Sequence, residues 1–154
     1  MKKIKLLILD IDGVMTNGTK IYDLDANVVG KSFHDHDFSA INYLKLKVPI
    51  IFLSKDDRVN RAMAEKRNIP FLHVQKNKDK SEYLEQLCEQ YNCKPKEMAY
   101  VGDDVHDIKL LKQVGYAFCP SDAIKEVKNI SYTINKKAGK GVINALRGII
   151  KKLI

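Results

Sequence analysis

A doubly wound α/β fold, with helices covering both faces of a mainly parallel sheet, is what this sequence predicts. Three observations predict it. The run Leu6-Leu-Ile-Leu9 is apolar at every position, as in a strand buried on both faces. It ends in Asp10-Ile-Asp12-Gly13, two carboxylates at i and i+2 followed at once by glycine. From there on, short apolar runs alternate with amphipathic segments, the rhythm of repeated β-α units. A Rossmann-like arrangement follows, and 154 residues with 45% hydrophobic content suffice for one domain, 1–154, with a full core.

The strands are expected at 6–9, 49–53, 70–74, 98–101, 116–119 and 131–134. Helices are expected between them, at 38–46, 58–68, 80–91, 105–114, 123–128 and 141–152. Asp37, Asp79 and Asp104 stand where N-caps are needed, and Gly115 stands where a helix closes. One segment breaks the alternation. Residues 17–33 place β-prone arms, Ile21-Tyr22 and Val28-Val29, around the turn-rich Asp23-Leu-Asp-Ala-Asn27, which predicts a β-hairpin inserted after the first strand. A lone hairpin is marginal in water, so Ile21, Tyr22, Val28, Val29 and Phe33 are expected to pack on something, such as another subunit. The hairpin is the only insertion, so no cap domain is expected.

The net charge of +8 suits an anionic partner. The lysines are scattered, and no basic-aromatic recognition motif accompanies them, so a phosphorylated metabolite is favoured over nucleic acid. Cys88, Cys93 and Cys119 are odd in number and lack zinc-type spacing, which reads as reduced thiols, with Cys119 in a buried strand. No apolar stretch is long enough for a membrane span. The opening Met1-Lys-Lys-Ile-Lys-Leu6 imitates a leader but has too short an apolar core and no small-residue cleavage site. A cytoplasmic protein is expected.

Chemistry concentrates at the strand ends. Side chains alternate along a strand, so Asp10 and Asp12 can share a side where the chain leaves the sheet, the edge at which open α/β sheets bind ligands. The second strand is followed by the hydroxyl of Ser54, Lys80 opens a helix, and the fourth strand ends in Gly102-Asp103-Asp104 with Asp107 a turn further on. Carboxylates at two strand ends are the hard oxygen ligands that Mg²⁺ prefers. A cation there neutralises Asp10 and Asp103 and lets a phosphate dianion approach.

This ordered set, Asp10-Ile-Asp12-Gly13-Val, Ser54, Lys80 and Gly102-Asp103-Asp104, resembles the four signature motifs of the haloacid dehalogenase superfamily. Within it, the stretches Gly13-Val-Met-Thr-Asn-Gly18, Phe33-His-Asp-His-Asp37, Asp79-Lys80, Ala99-Tyr-Val-Gly-Asp-Asp104 and Gly139-Lys-Gly141 resemble the capless branch of KDO 8-phosphate phosphatases and sialic-acid-type 9-phosphate phosphatases. The resemblance covers nearly the whole chain. It implies a Mg²⁺-dependent phosphomonoester hydrolase acting on a sugar-acid phosphate, 3-deoxy-D-manno-octulosonate 8-phosphate (KDO 8-phosphate) or a nonulosonate 9-phosphate. Asp10 is implied as the nucleophile that becomes an aspartyl-phosphate, and Asp12 as the acid and then the base. Asp10, the Asp12 carbonyl and Asp103 are the implied Mg²⁺ ligands, Ser54 and Lys80 hold the phosphoryl oxygens, and Asp37 and Lys80 face the substrate. Asp104 and Asp107 orient Lys80 or the metal's water. The branch also implies a homotetramer built from hairpins, with a neighbour's C-terminal segment closing each site.

This chain departs from the branch in places. Ser54-Lys55-Asp56 stands for the usual Thr-Gly-Arg, so a sugar carboxylate meets Asp56 unless Arg58 or Arg61 pairs with it. Phe38 stands for a glycine, and Lys140 for an arginine whose bidentate fork lysine lacks. His34 and His36 are compatible with a metal pair, a polar pocket wall or a helix entry; His73 reads as a strand residue and His106 as a helix-surface residue. A non-catalytic receiver-like or tetramerisation domain is the alternative function. A receiver, however, needs a lone acceptor after a central strand.

Overall fold

In the computed structural model, which describes residues 3–154, six strands form one sheet in the order β5-β4-β1-β6-β7-β8, all neighbours parallel. These are β1 (Leu6–Leu9), β4 (Ile50–Ser54), β5 (Phe71–His73), β6 (Met98–Val101), β7 (Tyr116–Pro120) and β8 (Tyr132–Ile134). Each overlaps its expected apolar run. Met1 and Lys2, the start of the leader-like stretch, lie outside the described residues.

Alternation along β1 divides its side chains between two cores. Leu7 and Leu9 pack with Phe38, Ile41 and Leu44 of α1 (Asp35–Leu44) and with Val142, Ile143 and Leu146 of α6 (Val142–Ile150). Leu6 and Ile8 pack on the other face with Leu84 and Leu87 of α3 (Leu84–Tyr91), Leu110 and Leu111 of α4 (Ile108–Leu111) and Val127 of α5 (Lys125–Lys128). Each fully buried Leu or Ile contributes about 1.5–3 kcal/mol, so an uninterrupted aliphatic β1 is what a doubly covered sheet requires. The chain winds outward in both directions from β1, and its crossover direction reverses between β1 and β6. That switch point opens a crevice beyond the strand ends, and Asp10 and Asp103 flank it.

Three helices begin differently from expectation. Asp37 does not cap α1: the helix starts at Asp35 with His34 in the N-cap position. Asp37 is instead fully buried and accepts the Asn144 N–H (2.9 Å), satisfying an orphan donor in the first turn of α6. Burial pushes its carboxyl upward, although the backbone N–H groups of Asn144 and Ile143 oppose that shift. The 80–91 and 105–114 segments each open as a 3₁₀ turn, Lys80–Tyr83 and Val105–Asp107, before α3 and α4 begin. Reciprocal capping boxes at Asp79 and Asp104 tighten these turns.

The inserted hairpin is present as β2 (Ile21–Tyr22) and β3 (Val28–Gly30), antiparallel, with Tyr22 opposite Val28. Asp23 organises its tip by accepting the N–H groups of Asp25 and Asn27 (3.0 and 2.8 Å). β3 lies against α2 (Arg58–Lys66), while Ile21, Tyr22, Leu24 and Val29 remain exposed. Cys119 lies buried in β7, and the three cysteines are free. Among the described residues no helix is long and apolar enough to cross a membrane.

Candidate active site

The strand ends deliver their polar residues to one cavity of about 270 Å³, lined by Asp10, Asp12, Lys20, Ser54, Lys55, Asp56, Lys80, Asp103, Asp104, His106 and Asp107. Asp10 still follows the ladder of the sheet, donating its N–H to the Val101 carbonyl (3.1 Å), so its side chain is aimed by β1 itself. Its Oδ1 accepts the Ile11 N–H (2.9 Å) and the Lys80 ammonium (2.9 Å). Its Oδ2 takes no hydrogen bond among the described residues. After Ile11 the chain turns back on itself, with the Val14, Met15 and Thr16 N–H groups all donating to the Ile11 carbonyl. Gly13 makes the turn possible. Its φ of +79° suits glycine, and any Cβ there would collide with the Asp103 carboxylate.

Lys80 is 4% exposed and is surrounded by Asp10, Asp107 (2.7 Å) and the Tyr100 hydroxyl (3.1 Å). Burial alone would lower its ammonium, but the two carboxylates override that and hold it above the ordinary lysine range. Asp107 is equally enclosed. One oxygen takes Lys80 and the Tyr100 O–H (2.6 Å); the other takes the N–H groups of Asp103 and Asp104 (2.8 and 3.0 Å). Burial pushes Asp107 up, yet Lys80 and these donors outweigh it and keep it below the usual carboxylate range.

Asp10 and Asp103 both shift the other way from Asp107. Desolvation, only partly offset by Lys80, pushes Asp10 up to about 7. Desolvation and the repulsion of Asp10 and Asp107 push Asp103 up to about 8. Carboxylate oxygens of Asp10, Asp103 and Asp107 lie within 4.8 Å of one another. Since Asp107 is saturated by four donors, Asp10 and Asp103 are the pair with anionic capacity left over. A hard divalent cation fits that donor set, because it replaces the proton that crowding otherwise retains.

The opposite wall is built from the β4 end and the hairpin. Ser54 Oγ accepts the Asp56 N–H (3.2 Å) and Asn60 Nδ2 (3.1 Å). Asp56 pairs with neither Arg58 nor Arg61. Lys20 (2.9 Å) and Lys31 (2.7 Å) hold it, keeping its carboxyl below the ordinary range although burial opposes them. Arg61 is occupied elsewhere, with its Nε on Asp57 (2.6 Å) and its guanidinium over the Phe71 ring. Arg58 is exposed, and neither arginine lines the cavity.

The cavity therefore gathers Asp10, Asp12, Ser54, Lys80, Asp103, Asp104 and Asp107, but not Asp37, which stays buried between α1 and α6. His34 occupies the helix-entry position and stacks edge-on with His36. His106, read as a helix-surface residue, lies on the cavity wall. Sequence reasoning missed Lys20, Lys31, Asn60 and Tyr100. No local pattern marks the first three, whereas Tyr100, a hydroxyl inside an otherwise apolar strand, was the one visible signal.

Comparison with known proteins gives this geometry a family. Residues 58–146 match the haloacid dehalogenase-like hydrolase model. The chain is 28% identical over 153 residues to the 3-deoxy-D-manno-octulosonate 8-phosphate phosphatase KdsC of Haemophilus influenzae, covering 97% of this chain and 84% of that one. It is 28% identical over 145 residues to the Danio rerio N-acylneuraminate cytidylyltransferase A, covering 91% of this chain and 33% of that much longer one. A solved structure of a cobalt-bound deoxy-D-mannose-octulosonate 8-phosphate phosphatase from Haemophilus influenzae superposes with a TM-score of 0.89 at 29% identity, covering 98% of this chain and 89% of that chain. With more than half of its length matching the family model, the chain belongs to the haloacid dehalogenase-like hydrolases.

Proposed function

We propose that this protein is a Mg²⁺-dependent phosphatase that hydrolyses the terminal phosphate ester of a sugar acid, KDO 8-phosphate or a nonulosonate 9-phosphate, through an aspartyl-phosphate. The observation that carries the reading is Asp10, buried at the switch point with Oδ1 tied to Lys80 and the Ile11 N–H, Oδ2 free of hydrogen bonds among the described residues, and a carboxylate oxygen within 4.8 Å of one from Asp103. A carboxylate anchored through one oxygen keeps the other available for phosphorus. Relatives of nearly equal length that act on KDO 8-phosphate support the substrate class.

In the proposed reaction Asp10 attacks phosphorus and the ester P–O bond breaks, while Asp12 gives its proton to the departing alkoxide. Water then attacks the aspartyl-phosphate, Asp12 takes the proton back, and the P–O bond to Asp10 breaks, releasing phosphate and restoring the carboxylate. Ser54 and Lys80 position the transferring phosphoryl group, which needs placement and positive charge more than covalent help. Asp10 and Asp103, with the Asp12 carbonyl, are the residues that would hold Mg²⁺. When bound, the ion supplies positive charge that offsets the phosphate dianion and the carboxylates. Lys55 on the cavity wall offers an ammonium group toward an anionic sugar, while Lys20 beside it neutralises Asp56. A homotetramer assembled through the hairpins is part of the same reading, supported by the exposed Ile21, Tyr22, Leu24 and Val29.

A phosphate-release screen across KDO 8-phosphate, KDN 9-phosphate, N-acetylneuraminate 9-phosphate and hexose phosphates tests the substrate class. Sugar-acid phosphates are expected to be preferred; preference for hexose phosphates would overturn that class while leaving the chemistry. Absence of Mg²⁺-dependent release from any ester would favour a receiver-like or purely structural domain.

A further inference from the structure

Lys31 is the least expected charge in the molecule. It leaves the end of an exposed hairpin, yet its side chain is 0% exposed. Its ammonium touches Asp12 Oδ1 and Oδ2 (2.8 and 2.9 Å), Asp56 Oδ2 (2.7 Å) and Asn60 Oδ1 (3.0 Å). Three acceptor residues match the three protons that the group carries. Removing an ammonium from water costs several kcal/mol unless it is fully hydrogen-bonded, so the enclosure of this one is specific. Asn60 completes the arrangement. While its amide oxygen accepts from Lys31, its Nδ2 donates to Asp12 Oδ2 (2.8 Å) and to Ser54 Oγ (3.1 Å).

Both oxygens of Asp12 are therefore clamped, one by Lys31 and the Thr16 hydroxyl (3.3 Å), the other by Lys31 and Asn60. The terminal torsion of an aspartate is otherwise broad and roughly two-fold. A proton donor that swings through such a range spends little time aimed at one oxygen, and misplacement by about 1 Å costs on the order of 100-fold in rate.

We propose that Lys31 is a positioning residue which, with Asn60, fixes where the Asp12 carboxyl sits: the fully clamped form is the anion, and when one oxygen exchanges its Lys31 contact for a proton, the remaining donors keep that proton aimed at the leaving alkoxide. The hairpin thereby becomes part of the catalytic machinery of its own subunit. This rests on the assignment of Asp12 as the proton-transfer group.

The test compares two esters through kcat/KM, which reports only the steps up to aspartyl-phosphate formation. An alkyl phosphate, the best from the substrate screen, needs a proton on its leaving oxygen; p-nitrophenyl phosphate releases a stable phenolate and does not. Lys31→Met should lower kcat/KM on the alkyl ester by about 100-fold and on the aryl ester by only a few-fold. Asp12→Asn serves as the reference and should show the same selectivity. Equal losses on both esters in Lys31→Met, with a selective loss in Asp12→Asn, would overturn the inference and reduce Lys31 to a hairpin anchor. No selectivity in Asp12→Asn would overturn the assignment of Asp12 itself, and the inference with it. If Lys31→Met does not fold, Asn60→Leu carries the comparison: a selective loss on the alkyl ester supports the clamp, and an equal loss overturns it.

Discussion

Two walls of the cavity hold buried lysines in different ways. On the sheet side, Lys80 lies between Asp10 and Asp107, which are 6% and 1% exposed, with the Tyr100 hydroxyl completing its shell. On the hairpin side, Lys31 lies between Asp12 and Asp56, whose side chains remain about one-quarter exposed. The first cluster is enclosed by strands that the core itself fixes. The second closes only because a two-stranded hairpin, marginal alone, is drawn onto α2 and the loop after β1. Charge at the sheet edge is thus part of the folded core, whereas charge under the hairpin is a latch that solvent can partly reach.

Replacing the residue on which the sheet-side cluster converges has the largest expected effect. Asp10→Asn removes the proposed nucleophile and should cut phosphate release from any ester by 10⁴-fold or more, about the loss seen when a covalent nucleophile is deleted. A variant keeping a tenth of wild-type turnover would show that the sheet edge does not carry the covalent step.

The two lysines offer the next contrast. Lys80→Met leaves buried Asp10 and Asp107 without their shared cation, and breaking such a buried group costs about 3–5 kcal/mol. In Lys31→Met, Asp12 keeps Asn60 and Asp56 keeps Lys20, and both carboxylates reach water, so the loss should be about 1–2 kcal/mol. Urea unfolding of both variants without metal checks the order. A reversed ranking would make the hairpin latch, not the sheet edge, the main electrostatic support.

The sheet-side wall also sets a pH dependence. The folded-state values of about 7 for Asp10 and about 8 for Asp103 lie above the ordinary carboxylate value of 3.8. The folded protein therefore binds protons that the unfolded chain has released. Their contribution to stability is full below about pH 4 and is lost as pH rises through 7 and 8. Asp107 is lowered and acts in reverse, its contribution lost only as acid protonates it. The metal-free protein should melt several degrees lower at pH 8.5 than at pH 5.5. Mg²⁺ should recover more at the higher pH, where it displaces fewer protons. Thermal melts with EDTA and with Mg²⁺ measure this, and a flat metal-free profile would contradict the raised pair.

The sheet side was also the legible side. An unbroken aliphatic run followed by Asp10 identifies a central strand end, and Asp79 and Asp104 announce their turns through residues within three positions. Lys31 had no such mark. Its partners lie 19, 25 and 29 positions away, and nothing periodic within the hairpin distinguishes it from the surface lysines. Asp37 shows the same limit. Its place before a helical pattern reads as a local N-cap, but its donor, Asn144, lies 107 positions on, and only the packing of α6 against α1 brings them together. Arg58 and Arg61, near Asp56 in sequence, suggested its partners, while the hairpin supplied Lys20 and Lys31 from outside. Local chemistry is readable from neighbours; a latch made by an insertion is readable only from the fold.

The smallest expected effect concerns the outer face of the hairpin. Ile21, Tyr22 and Val29 are 60%, 56% and 50% exposed, while Lys31 at the end of the same hairpin is turned inward. If the outer face serves only assembly, Tyr22→Ser combined with Val29→Ser should lower the mass seen by sedimentation, yet change protomer stability by no more than about 0.5 kcal/mol per site. The Lys31 latch is made within one chain, so the chemical step on p-nitrophenyl phosphate should survive dissociation. KM for a sugar-acid phosphate should rise if a neighbour helps to close the cavity. A double variant that lost turnover on both esters without changing mass would mean that the outer face supports the latch from behind. Inner and outer faces of the hairpin would then be one structural unit rather than two separable ones.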